Sequence, residues 1–277
     1  MNKDLTKRTG LTKPERQESA ATDVASRLKS ELMADALDRL LGKSTAAPDN
    51  KSSHVLFAVA NHARGPGWDR AKALARQMFD AAVGLKMKFA FWGRDNAAGV
   101  RRFRITKRWI PDPDEMAGLM DNAECNCGCY VHIRSVADQA VKENEAQRMR
   151  AVVIAGDAFH DDEDSLAEAA ICVNQLRRAG TKVFLFQLSN DPATAHKLKY
   201  LARVSGAIHL PFDPRTQERQ FLEMWRAVSA YAAGGEEAVK KTDGQAARLL
   251  LEHLKQEPMP VIDEEREHVR VGRDIKK

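Results

Sequence analysis

With 277 residues, 43% hydrophobic and 30% charged, the chain has the make-up of a globular protein with one main domain and tails. Lys and Arg exceed Asp and Glu by 44 to 39, too mild and dispersed an excess to mark a nucleic-acid binder. No apolar run approaches the roughly 18 residues of a membrane span, the N-terminal residues carry no secretory signal, and four cysteines are too few for a disulfide scaffold; the expected setting is cytoplasmic.

Residues 1–21 are polar, basic and without periodicity, and are expected to be disordered. From Thr22 the pattern changes: Val24, Leu28, Leu32, Ala36, Leu40 and Leu41 recur near helical spacing, and Gly42 is placed to end an amphipathic helix over 22–42. That helix either packs on the main domain or serves a partner; its sequence does not choose. Residues 43–53 (KSTAAPDNKSS) read as a linker.

The main domain, 54–235, alternates strands with helices. Strands are expected at 54–60, 86–92, 100–106, 151–155, 182–188 and 207–211, the third basic and at an edge. Helices are expected at 68–83, 114–121, 131–147, 165–178, 192–204 and 216–233, with 124–130 (ECNCGCY) as a loop. This order predicts an α/β fold: a doubly wound, mostly parallel sheet with helices on both faces, a three-layer sandwich with one antiparallel edge strand. Residues 236–277 are a C-terminal region in which a charged spacer leads to a small helix at 245–254 and then a flexible tail.

The stretch 149–164, MRAVVIAGDAFHDDED, is the pivot of the domain. Its short apolar run suits a strand buried on both faces. Ligands of open α/β sheets sit outside the carboxyl ends of such strands, where Asp157 stands.

The phrases HVLFAVA, WDRAKALARQMF, the Gly156-Asp157 strand end, KVFLFQLSNDPATAHKLKYLARVSGAIHLPFD and AVSAYAAGG, in that order, resemble the von Willebrand factor A (VWA) domain family over about residues 54–233. The likeness is greatest to bacterial cytoplasmic members. The resemblance implies a metal-ion-dependent adhesion site, in which Asp-x-Ser-x-Ser after the first strand, a Thr from a second loop and an Asp from a third hold a hard cation by oxygen. Here the first-loop positions fall on Ala60, His62 and Arg64, the second on Val131, and only Asp157 matches. Alanine and valine side chains offer no ligand, imidazole suits Mg²⁺ and Ca²⁺ poorly, and Arg64 brings positive charge to the place of the ion. The expectation is a degenerate site without cofactor, with Arg64 paired to Asp157 in place of the metal.

Other residues of the chain suggest further chemistry. Asp157 and the acids Asp161, Asp162, Glu163 and Asp164 could hold Mg²⁺, but their spacing lacks the alternation and central glycine of a calcium loop. Asp161 to Asp164 read more simply as caps and charge complements for the helix that follows. Cys125, Cys127 and Cys129 could attract Zn²⁺, with His132 or Cys172 as a fourth ligand; the simpler reading is a turn around Gly128, with Cys172 in the core. No nucleophile elbow, phosphate loop or paired-carboxylate motif accompanies His62, His160 and Asp157, so no catalytic residue is named.

The resulting expectation is a non-catalytic scaffold that binds another protein through Asn61, His62, Arg64, Trp68, Asp157, His160 and Asp161. Two alternatives stay open: a divalent-metal-dependent enzyme or adhesion-type site using Asp157, Asp161 and His62, and nucleic-acid binding through residues 101–108 (RRFRITKR).

Overall fold

The computed structural model describes residues 53–59, 66–80, 84–94, 101–122, 132–156, 158–159, 161–212 and 217–256; the side chains of 66–72, 92–94, 101–102 and 122 lie outside the described set. Six strands form one sheet: β1 (His54–Val59), β2 (Lys86–Arg94), β3 (Arg101–Ile105), β4 (Ala151–Gly156), β5 (Lys182–Gln187) and β6 (Ile208–Pro211). Their order is β3-β2-β1-β4-β5-β6. Every pairing is parallel except β2 with β3, where Ala90 faces Ile105 and Trp92 faces Phe103. The doubly wound sheet with an antiparallel basic edge is therefore as the sequence predicts.

Eight helices are described: α1 (Pro66–Asp80), α2 (Pro113–Asn122), α3 (Ile133–Ala146), α4 (Glu163–Arg178), α5 (Pro192–Ser205), α6 (Glu218–Gly234), α7 (Glu236–Lys240) and α8 (Gln245–Lys255). None is long and apolar enough to cross a membrane among the described residues.

The strand period of two divides the core. Val55 and Phe57 of β1, Met87 and Phe89 of β2, and Phe184 and Phe186 of β5 point to a first face, where α1, α2, α6 and α8 cover them. Leu56, Val152, Ile154, Val183 and Leu185 point to a second face under α3, α4 and α5. The central strands are buried on both sides, which is why they read as unbroken apolar runs.

Helix ends follow local chemistry. Asp162 caps α4 by accepting from the Ser165 N–H at 2.9 Å, and Asp191 caps α5 by accepting from the Thr194 N–H at 2.7 Å. Gly206 ends α5 with φ of 76°, a left-handed conformation that other residues take up at a cost.

One element departs from the sequence expectation. The charged spacer after residue 235 contains α7, whose Val239 is fully buried. Five residues are too few for a helical period to declare itself. The turn into it favours glycine: Gly235 has φ of 70°, a conformation that other residues take up at a cost. Beyond it, α8 lays Ala246, Ala247, Leu250 and Leu254 into the first-face core.

Candidate functional site

The chain winds outward in both directions from the centre of the sheet. From β1 it passes to β2 and from β4 to β5, so β1 and β4 meet at a topological switch point. Their register pairs Val59 with Ala155. The carboxyl ends of β1 and β4, at Val59 and Gly156, therefore lie side by side at one edge of the sheet. Asn61, His62, Arg64, Val131, Asp157, His160, Cys125, Cys127 and Cys129 lie outside the described residues, as does the side chain of Trp68. What the structure describes is a frame of strand ends and helix starts at this edge of the sheet.

The main strut of that frame is Asp161. Its carboxylate accepts from the Ile133 N–H at 2.8 Å and the Arg134 N–H at 3.1 Å. These are the first amides of α3, among the four that a helix leaves without internal partners. The N-cap residue of α3, His132, makes no side-chain cap bond, so a carboxylate 28 residues away in sequence takes over that task. It also sets negative charge against the positive end of the helix dipole. Asp161 is fully buried.

This division of labour differs from the sequence reading. There, Asp161 to Asp164 all served the helix that follows. In the structure Asp162 caps α4, Glu163 and Asp164 sit in its first turn, and Asp161 turns inward to α3. The partner-facing role expected of Asp161 gives way to an internal one, because a buried carboxylate with both oxygens engaged presents nothing to the surface.

A second strut comes from α5. The Lys197 ammonium donates to the backbone carbonyls of Asp161 at 2.6 Å and Phe159 at 3.5 Å. Phe159 is itself buried against the second-face core. The segment entering α4 is thus fastened by its carboxylate to one helix and by its carbonyls to another. Arg134 adds an ion pair to Glu168, joining the start of α3 to α4.

Beside β4, the last residue of β5 closes the frame. Gln187 is buried, and its amide donates to the carbonyls of Ser189 at 2.8 Å and Asp191 at 3.1 Å. With the amide nitrogen committed as donor, its Oε1 accepts from Nε2 of His209 at 3.0 Å. Burial, with smaller contributions from Lys199 and His253, pushes the His209 pKa down to about 4, so the ring is neutral near pH 7. The Asp162 carboxyl is held below the usual carboxylate range, first by its hydrogen bonds with Ser165.

Sequence reasoning missed Gln187, Lys197 and His209. Only Gln187 left a trace: a polar residue ending the otherwise apolar KVFLF run.

Among the described residues, no three of His, Cys, Asp and Glu converge on a metal-ion position. The described fourth-ligand candidates for zinc are His132, exposed at the start of α3, and Cys172, half-buried on α4 against the second-face core. At the basic edge, Arg104 and Lys107 are exposed and Arg108 pairs with Glu115.

A scan against protein-family models gave no match, and a search of curated proteins gave none. Similar solved structures include a von Willebrand factor type A protein from Catenulispora acidiphila, at 12% identity over 65% of this chain and 42% of that one, TM-score 0.48. They include the conserved hypothetical protein BatB from Bacteroides thetaiotaomicron, at 12% identity over 68% of this chain and 98% of that one, TM-score 0.44. An aerotolerance-related membrane protein from Bacteroides fragilis aligns at 12% identity over 62% of this chain and 98% of that one, TM-score 0.42. The chain is similar to these VWA-type folds; the strand order, strand directions and register are what define its own.

Proposed function

We propose that this protein is a non-catalytic, VWA-like scaffold that binds another protein at the carboxyl end of its sheet without a bridging metal. One observation carries the reading: β1 and β4 are parallel neighbours at the switch point, with Val59 opposite Ala155. Ala60, His62 and Arg64 follow one of these strands and Asp157 and His160 the other. The place where the fold gathers loops is also the place where a VWA-type site would stand.

The donor set does not fit a hard cation. Of the family's side-chain oxygens only that of Asp157 remains, and one carboxylate does not hold Mg²⁺ against water. Arg64 supplies the missing positive charge and pairs with Asp157, since leaving that carboxylate alone would cost more than the pairing. Without a cation to bridge a partner's carboxylate, recognition relies on Arg64, His62, Asn61, Trp68 and His160 directly. The struts at Asp161 and Lys197 support this reading, because a binding surface held in one shape loses less entropy on association.

The test is affinity capture by the full chain, with the captured protein identified by mass spectrometry and then re-bound in purified form. Capture is expected to survive EDTA and to fall sharply with Arg64→Asp. A midpoint of thermal unfolding that rises on adding Mg²⁺, or binding lost in EDTA, rejects the metal-free reading. The alternatives that use a divalent metal or residues 101–108 are then the ones to pursue.

A further inference from the structure

We propose that α7 and α8 form a strap that swings open as one unit about the Gly234–Gly235 turn, while α6 and the six-stranded sheet stay folded.

The strap is hinged at glycine. Gly235 leaves α6 with φ of 70°, and Gly244 enters α8 with φ of 125°, so both ends of α7 turn at residues whose backbone moves at low cost. The first turn folds back tightly. A Cβ on Gly234 would stand 2.7 Å from that of Ala238, so α7 lies against the end of α6 because no side chain is there.

Within the strap the polar contacts are local. Lys240 pairs with Glu237 at 2.6 Å, and Thr242 donates from its hydroxyl to the Ala238 carbonyl and from its N–H to the Val239 carbonyl. Val239 of α7 and Ala246, Ala247, Leu250 and Leu254 of α8 are buried in the same first-face core. The two helices therefore leave that core together.

The polar tie to the sheet is weak by comparison. The ammonium of Lys182, the first residue of β5, donates to the Leu254 carbonyl near the end of α8 at 3.5 Å, longer than an ordinary hydrogen bond. Burial first, and then the Arg177 charge, pulls the Lys182 pKa below the usual ammonium range, so the cation is held where its charge is disfavoured.

The layer beneath stands by its own contacts. β5 is paired on both sides, to β4 and to β6. The rings that fasten α6 belong to α6 and the strands: Trp225 with Phe57 and Phe186, and Tyr231 with Phe184 at 5.5 Å. Opening the strap uncovers this layer and breaks none of those contacts. A short, peripheral element hinged at glycine belongs to the low-stability end of a structure.

Hydrogen exchange read by mass spectrometry on the full chain, over a range of low urea concentrations, tests the proposal. The slowest amides of 236–255 should exchange at least about tenfold faster than those of 182–187 and 224–232, with a weaker urea dependence, since opening the strap exposes little surface. Gly234→Ala, which sets a methyl against Ala238, should speed exchange across 236–255 by about tenfold and leave 182–187 unchanged. Should that variant not fold, Leu250→Ala, at a fully buried position of α8, should do the same. Exchange of 236–255 at the rate and urea dependence of 182–187 in the wild type overturns the proposal, because the strap then opens only with the whole domain. So does a folded variant that leaves 236–255 unmoved, speeds both regions alike, or speeds only one of the two helices. Failure of both variants to fold overturns it as well, since the sheet would then depend on the strap.

Discussion

The two faces of the sheet are held by different means. The first is a mesh of rings. Trp225 is fully buried, with ring centroids 4.9 Å from Phe186, 5.6 Å from Phe57 and 5.9 Å from Phe221, and its indole N–H donates to the Leu74 carbonyl at 2.9 Å. Large side chains bury much area per residue and tie α1 and α6 to the strands. The second face is built of alanines and branched aliphatics: Ala137, Ala140, Ala169, Ala170 and Val173 let α3 and α4 approach closely. Its specificity comes from polar ties. The Thr181 hydroxyl lies 2.8 Å from the Met149 carbonyl and 3.0 Å from Asn144 Oδ1, which also accepts from the Met149 N–H at 2.8 Å. Lys88 and Glu143 form a 2.6 Å ion pair with little solvent around it. The struts of the candidate site, Asp161 to α3 and Lys197 from α5, belong to the second face as well. Volume fixes one side, and directional bonds fix the side to which Asp161 and Lys197 belong.

The largest effect expected from this contrast is on the ring side. Trp225→Ala should cost about 3–5 kcal/mol, because neither the sheet nor α1 can collapse into the space; urea unfolding of the two proteins measures it. A value under 1 kcal/mol would mean that the ring mesh is not what holds this face.

On the other side, Lys88→Met should cost about 3 kcal/mol by leaving Glu143 buried without its cation. The double variant Lys88→Met/Glu143→Met should regain most of that loss. If single and double variants unfold alike, the pair is not coupled and the polar account of the second face fails.

The smallest effect concerns pH. The His209 pKa is about 4 in the fold, against 6.5 in the ordinary state. Its neutral form therefore contributes stability that is full above about pH 6.5 and is lost as pH falls from there through about 4, where the unfolded chain takes a proton that the folded one refuses. The fall in urea midpoint between pH 7.5 and pH 5.0 should be smaller in His209→Gln than in the wild type. An equal fall would show that His209 is as accessible to protons in the fold as in the open chain.

Much of this molecule is visible before folding. The described bounds fall within two residues of the sequence reading at most ends, because both periods, two and 3.6, are written in the apolar pattern and punctuated by Asp162, Asp191, Pro192 and Gly206. The strand end from which the expected site is placed was legible too. An apolar strand ending in Gly156-Asp157 announces the carboxyl end of a parallel sheet, and the resemblance to VWA domains supplies Ala60, His62 and Arg64 as its neighbours. What stayed hidden is longer in range. No local pattern says that Asp161 leaves its own helix to cap one that begins 28 residues earlier, that Lys197 reaches across to two backbone carbonyls, or that Gln187 fastens His209.

The sequence by itself determined the six strands, the long helices, their order and the end of β4 at Gly156, since these follow from hydrophobic periodicity and local capping chemistry within a few residues. Only the tertiary structure decided which of four consecutive acids is buried and which is a cap. A helix N-terminus with unpaired amides takes its carboxylate from whatever the packing brings within 3 Å. For α3 that was Asp161.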